Sequence, residues 1–213
     1  MLRTLHAAGN YRALHPLAQH PAVDAIEADV WVVRGNIVAH HERPLGGLPL
    51  LLGNRGLRGP IANPVELDEL LAAVEGHCRL VLDVRSWFGD PAPDIARRLA
   101  PLVGRTDIAV TCESWKVADR VRAWLPDVPV AYSLRQERQV RRFVGLRIDA
   151  LIPPTPVAIR HSLLLDAPTV EALREHTPRI AAWTVDDVDR AIDLASWGVD
   201  EVVSNRLHVL NAL

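Results

Sequence analysis

Cysteine is scarce in this chain: two residues, Cys78 and Cys112, among 213. They lie far apart and match no metal or redox spacing. That pattern fits a reducing compartment, and a cytoplasmic location is expected. Long apolar runs are missing too. The longest, "LPLLL", is far short of the roughly 20 residues that span a bilayer, so no stable membrane insertion is expected. The N-terminal "MLRTLHAAGN" has no signal-peptide apolar core. Neither sign of charge dominates: 24 basic and 26 acidic residues are interspersed, for a net charge of −2. This leaves no electrostatic footprint for nucleic acid as a partner. A glycine-rich phosphate loop is also absent after the first apolar run, because "HAAGNYRALH" does not read G-x-G-x-x-G.

What the chain does have is alternation. It is 49% apolar, enough for a sizeable core, and it contains no low-complexity linker or block of one charge. A single domain spanning residues 1–213 is expected. Eight short apolar runs read as strands: Arg3–Ala8, Ala25–Val33, Arg79–Arg85, Asp107–Cys112, Val128–Leu134, Leu146–Ile152, Arg179–Val185 and Glu201–Ser204. Helical patterns lie between most of them. The best is Asn63–Gly76, where Asn63 can cap, Pro64 suits the first helical position and Glu66 completes a capping box. Leu67, Leu70, Leu71 and Val74 then make a buried stripe. Asp186–Trp197 repeats the pattern and ends at Gly198. Further helices are expected at Pro91–Val103, Trp115–Leu125, Arg135–Val144 and Pro168–His176. Eight strands separated mostly by helices predict an α/β fold, a compact (β/α)8 TIM barrel. The alternative is an open doubly wound sheet, which the missing phosphate loop disfavours.

The densest stretch is "AIEADVWVVRGNIVAHHERPL". It reads as a strand, a tight "RGN" turn and a return strand. Side chains alternate across a strand, so Glu27 and Asp29 share a face with Trp31, while Ile26, Ala28, Val30 and Val32 take the other. In "RLVLDVRS", Val81, Asp83 and Arg85 share a face in the same way. Strand C-terminal ends converge at a barrel's mouth, where Glu27, Asp29 and Asp83 can meet. Three bare carboxylates repel one another, and a hard divalent cation, Mg²⁺ or Ca²⁺, suits such oxygen ligands. The bland reading for any one of these acids is an ion pair or a solvated edge position. Of the nine histidines, most fall in expected helices or loops. His6 ends the first strand and His40 follows the return strand "NIVA", so both can face the acids. Two histidines beside a cation can take and give the protons of phosphodiester cleavage.

At these residues the chain resembles the glycerophosphodiester phosphodiesterases and their barrel relatives, the venom-type phospholipases D. "LHAAGN" is similar to the family's first-strand "HRG", and "IEADVWVVRGNIVAHHE" to its "E-x-D-V … DG … V-x-HD" block. "ANPVELDELLAAV" resembles the helix before strand three and "LVLDVR" the "L-x-I-E-x-K" strand. "AAWTVDDVDRAIDLASWGVDEVVSNR" resembles the "WTV … GVD" close. The resemblance implies a metal-dependent phosphodiesterase acting on a small-molecule phosphodiester, a glycerophosphodiester or a related phospholipid-derived compound. It implies Glu27, Asp29 and Asp83 as ligands of a divalent cation and His6 and His40 as the catalytic pair. Arg85 stands where the family has a phosphate-facing Lys, and Trp183 matches the aromatic residue ending strand seven. Glu113, in "TCESW" on the rim, is an extra acid that binds substrate or simply suits a helix N-terminus.

The departures are specific. Ala7 replaces the Arg after the first His, no "ENT" segment is visible, His41 replaces the Asp of "HD", and Asn205 replaces the Asp of "TD". His41 leaves open which of the two neighbours carries the proton, with His40 the better match. The segment after His41 is expected to be short and loop-like, without an inserted subdomain. Two alternatives stand beside the main reading: a catalytically impaired barrel that binds a phosphorylated ligand, and a metal-independent lyase-type phosphodiesterase.

Overall fold

The computed structural model describes residues 1–44, 50–53, 56–60, 63–86 and 89–213. Eight parallel strands pair in sequence: β1 Leu2–Leu5, β2 Ala25–Val33, β3 Arg79–Val84, β4 Ile108–Cys112, β5 Val130–Leu134, β6 Val157–Arg160, β7 Ile180–Trp183 and β8 Glu201–Ser204. β8 pairs with β1 through Leu2↔Glu201 to Leu5↔Ser204, and β1 pairs with β2 through Thr4↔Ala25, so the sheet closes. Helices α1 Leu67–Val74, α2 Ala92–Leu99, α3 Trp115–Trp124, α4 Glu137–Ile148, α5 Ala167–Arg174, α6 Val188–Ser196 and α7 Leu207–Asn211 fill the crossovers and the C-terminus. This is the (β/α)8 barrel expected from the alternation. Among the described residues, no helix is long and apolar enough to cross a membrane.

The core lies mainly between barrel and helices. Ile26, Ala28 and Val30 of β2, and Leu80, Leu82 and Val84 of β3, are buried on the outward face, as strand parity predicts. Leu70 and Val74 of α1 pack in the same core; full burial of one such side chain contributes about 1.5–3 kcal/mol. Trp115 stacks on Tyr132 with ring centroids 4.8 Å apart. Phe143 meets both rings edge-on, which fastens α3 and α4 to β5.

The expected hairpin is present. Arg34 (φ 51°) and Gly35 (φ 78°) form its two-residue turn, as tight hairpins with both central residues left-handed do. The return strand Asn36–Ala39 then pairs antiparallel with β2, Val30 opposite Ala39.

Three expectations are corrected. The sixth strand is Val157–Arg160, not Leu146–Ile152. Leu146, Ile148 and Ile152 alternate as a strand would, but α4, entered through a Gln136/Gln139 capping box, runs on to Ile148. The true strand is short and sits behind the prolines of "IPPTP", which mask it. Helix α1 starts at Leu67 with Glu66 as N-cap, boxed with Glu69, rather than at Asn63. Val65 and Glu66 instead pair with Ala39 and Val38 of the return strand. Finally, the segment after His41 is not merely loop: Arg43–Pro44, Leu50–Gly53 and Gly56–Pro60 form a small antiparallel sheet.

A one-turn 3₁₀ helix, Ala8–Asn10, follows β1 and lies directly on β2. A Cβ at Gly9 would stand 2.6 Å from Ala28 Cβ and 3.0 Å from Leu70 Cδ2. Gly9→Ala is therefore expected to destabilise the fold by about 1–3 kcal/mol through overpacking. The readout is a lower urea midpoint; an unchanged midpoint would refute the close-approach account.

Candidate active site

The inward faces of β2 and β3 carry the acids. One oxygen from each of Glu27, Asp29 and Asp83 lies within 4.8 Å of the others. β2 and β3 are in register with Glu27 opposite Val81 and Asp29 opposite Asp83, so the acids form two adjacent rungs. Glu27 and Asp29 are buried. His6, Glu27, His41, Asp83, Arg85 and Trp183 all line one cavity of about 240 Å³.

Each acid is held differently. Both Asp29 oxygens have partners. Oδ1 accepts from Arg85 Nε at 2.9 Å and Nη2 at 2.5 Å, while Oδ2 accepts from Asn10 Nδ2 at 2.8 Å and faces His41 Nδ1 at 3.1 Å. Asn10 Oδ1 also accepts the Asp29 backbone N–H at 2.9 Å, so this side chain grips Asp29 from two sides. Burial alone would push the Asp29 carboxyl up, but the His41 bond, the Arg85 charge and the Asn10 bond bring it down to about 2. Asp83 Oδ1 accepts from Thr111 Oγ1 at 2.9 Å, and its Oδ2 pairs with Arg85 at 2.7 Å. Burial holds Asp83 above its ordinary value, with Arg85 opposing and Asp29 reinforcing that shift. Glu27 accepts the Ala7 backbone N–H at 2.7 Å. Its carboxyl is raised well above the usual range by burial first, then by the charges of Asp29 and Asp83.

The donor set suits a hard divalent cation: carboxylate oxygens only, close together, on rigid strands. A divalent ion would oppose the charges of Asp29 and Asp83 that, after burial, raise Glu27.

The histidines divide unexpectedly. His6 Nδ1 lies 2.8 Å from Asn205 Oδ1, while Asn205 donates its Nδ2–H to Asp186 at 2.7 Å and its backbone N–H to the same carboxylate at 2.8 Å. With the Asn205 amide committed as donor to Asp186, its oxygen must accept, so His6 carries its proton on Nδ1. In the neutral ring that leaves the Nε2 lone pair facing the cavity, 3.8 Å from Glu27 Oε2. On the return strand, parity predicts His40 on the acids' side, because Val30 pairs with Ala39 and Asp29 therefore stands opposite His40. The strand ends at Ala39 with one further cross-strand bond, from the His40 N–H to Asp29 O at 2.8 Å, and His41 then turns its ring to Asp29. The His40 ring is half-buried beside Glu42, Nδ1 to Oε2 3.5 Å, and does not line the cavity. Burial lowers the His40 pKa, against the pull of Glu42. The hydrogen bond to Asp29 raises that of His41.

Of the remaining expected residues, Trp183 is at the mouth, its ring 5.9 Å from the Arg135 guanidinium carbon. Glu113 is exposed on the rim and pairs with Arg135 at 3.5 Å. Arg85 bridges Asp29 and Asp83. Sequence reasoning missed Asn10 and Thr111. "GN" after a strand reads simply as a turn. Thr111 was findable: on "IAVTC" it shares the inward parity, and it stands beside Asp83 in the β3–β4 register.

No protein-family profile and no curated protein matches the sequence. Solved structures do match, over essentially the whole chain. A putative glycerophosphoryl diester phosphodiesterase from Agrobacterium tumefaciens superposes with a TM-score of 0.78 at 13% identity, covering 100% of this chain and 96% of that one. An Oleispira antarctica phosphodiesterase, solved in complex with the product sn-glycerol-3-phosphate, gives 0.73 at 15% identity, covering 100% and 96%. A glycerophosphodiester phosphodiesterase from Thermotoga maritima gives 0.71 at 14% identity, covering 99% and 97%. The chain thus has, from end to end, the barrel fold of these glycerophosphodiester phosphodiesterases.

Proposed function

We propose that this protein is a metal-dependent phosphodiesterase that cleaves glycerophosphodiesters or related phospholipid-derived diesters. The observation that carries the reading is the convergence of Glu27, Asp29 and Asp83, with Glu27 and Asp83 lining the same cavity as His6 and His41. The fold likeness to phosphodiesterases, one of them holding sn-glycerol-3-phosphate, supports it. Glu27, Asp29 and Asp83 would hold Mg²⁺ or Ca²⁺. Such a cation, when bound, neutralises charge on phosphoryl oxygens. His6, with its Nε2 lone pair turned to the cavity, takes the proton of the attacking hydroxyl or water. Asn205 and Asp186 keep it in that tautomer. His41, paired with Asp29, gives a proton to the leaving oxygen. Trp183 and the Glu113–Arg135 pair stand at the rim where the alcohol portions of the diester would lie.

A second reading rests on Arg85. Its bridge between Asp29 and Asp83 already brings one positive charge to the acids, as a metal-independent lyase-type enzyme would need. Hydrolysis of bis(p-nitrophenyl) phosphate with Mg²⁺, with Ca²⁺ and with EDTA separates the two. Turnover abolished by EDTA and by the His6→Ala/His41→Ala pair is expected. Turnover that resists EDTA yet needs the histidines would transfer the assignment to the lyase. If glycerophosphodiesters and lysophospholipids also fail, the protein is a phosphate-binding barrel rather than an enzyme.

A further inference from the structure

TIM-barrel interiors are ordinarily packed with layers of bulky branched side chains. This one is hollow. Mid-height inward positions are Ala109, Ala131, Ala158 and Ala181, with Val81 and Val203 between them, and all six line the cavity under the acids. Registers place them together: Val81 beside Ala109, and Ala158 beside Ala181. The exposure pattern of β4 and β5 is the reverse of a filled barrel. Outward Val110, Val130 and Tyr132 are buried, whereas inward Ala109 and Ala131 keep accessible surface. That surface can only face the barrel axis.

The cavity has a floor. Arg179 pairs with Glu201 at 3.0 Å, and Glu201 also accepts from Thr4 Oγ1 at 2.6 Å. From Trp183 at the mouth to Arg179 is four residues along β7, about 13 Å of extended chain. Among the described residues, the charged groups that line the cavity below the acids are Arg79, paired with Asp107, and Arg179 and Glu201, paired with each other; Thr4, Thr111 and Ser133 add hydroxyls to an otherwise apolar wall. Apolar cavities take apolar guests, and one of about 150 Å³ holds benzene. The cavity here is about 240 Å³ and is continuous with His6, Glu27, Asp83 and Arg85.

We infer that the barrel interior is a specificity pocket for an unbranched alkyl arm on the phosphodiester, on the order of six to eight carbons by comparison with benzene in a 150 Å³ cavity. The phosphate sits at the mouth, and the arm runs down the axis towards the Arg179–Glu201 floor. The inference deepens the phosphodiesterase reading and rests on it for the position of the phosphate.

The test is a series of p-nitrophenyl alkyl phosphates from ethyl to dodecyl. Expected is a rise in kcat/KM of about fourfold per methylene, which stops near hexyl to octyl where the arm meets the floor. Ala131→Leu and Ala158→Leu should each move that stop to shorter chains and lower the octyl-to-ethyl ratio. A flat series with the wild-type protein overturns the pocket, whatever the variants do, while leaving the phosphodiesterase intact. If no ester in the series is cleaved, glycerophosphodiesters and lysophospholipids decide the phosphodiesterase reading. The pocket is then judged by binding: hexyl phosphate shifting the melting midpoint at a concentration at least tenfold below inorganic phosphate retains it, and equal concentrations remove it.

Discussion

His41→Ala is expected to lower kcat on a glycerophosphodiester, whose alkoxide leaving group must be protonated, by about 10²–10⁴-fold, the usual weight of a positioned acid, and to lower it far less on a p-nitrophenyl ester, whose phenolate leaves unaided. His40→Ala should change kcat on the glycerophosphodiester by only a few fold. The difference follows from where the rings are. His41 Nδ1 is 3.1 Å from a buried carboxylate that belongs to the acidic cluster, and the ring lines the cavity. His40 faces Glu42 away from that cavity. Purified single variants assayed side by side decide the matter, with far-ultraviolet circular dichroism checking the fold of each. A larger loss at His40 would return the role to the residue that strand parity favours and would count against this geometry.

Arg85→Met should strongly destabilise the metal-free protein and should be rescued by divalent cation. Arg85 is the bridge between Asp29 and Asp83, at 2.5 Å and 2.7 Å. Without it, three converging carboxylates face one another with no guanidinium between them. Removing one partner of a buried ion pair costs about 3–5 kcal/mol. For a domain of this size that is a fall of roughly 6–20 °C in the melting midpoint. Millimolar Mg²⁺ or Ca²⁺ should recover most of it, since a ligand that binds only the native state stabilises it by mass action. EDTA should reverse the recovery. A midpoint that falls and is not restored by either cation would show that the acids do not form a cation site; no fall at all would make the bridge energetically idle.

Much of this protein is legible from its sequence because the relevant signals are local. The period of two in "AIEADVWVV" and "RLVLDVR" is enough to put Glu27, Asp29 and Asp83 on inward faces, since side-chain direction along a strand follows from the backbone alone. Alternation of strand and helix is enough for the barrel, and Asp187 and Gly198 bound α6 by capping chemistry. Local signals mislead where a neighbour competes. Val65 and Glu66 carry helix-start chemistry but are taken up by the return strand, so α1 begins late. Leu146 to Ile152 alternates like a strand, yet α4 keeps its first residues.

The tertiary structure alone decided the rest. Whether His40 or His41 meets Asp29 depends on where the return strand leaves its ladder, which is set by pairing across β2 and not by the histidines themselves. Asn10 becomes part of the site only because Gly9 lets its turn lie against β2, 19 residues away in sequence from the Asp29 it grips. The tautomer of His6 is set by Asn205, 199 residues along the chain. The hollow interior is a property of no single strand: an alanine on β4 or β7 reads as an ordinary small core residue until closure brings all the inward faces round one axis and shows that, among the described residues, no large side chain fills the space between them.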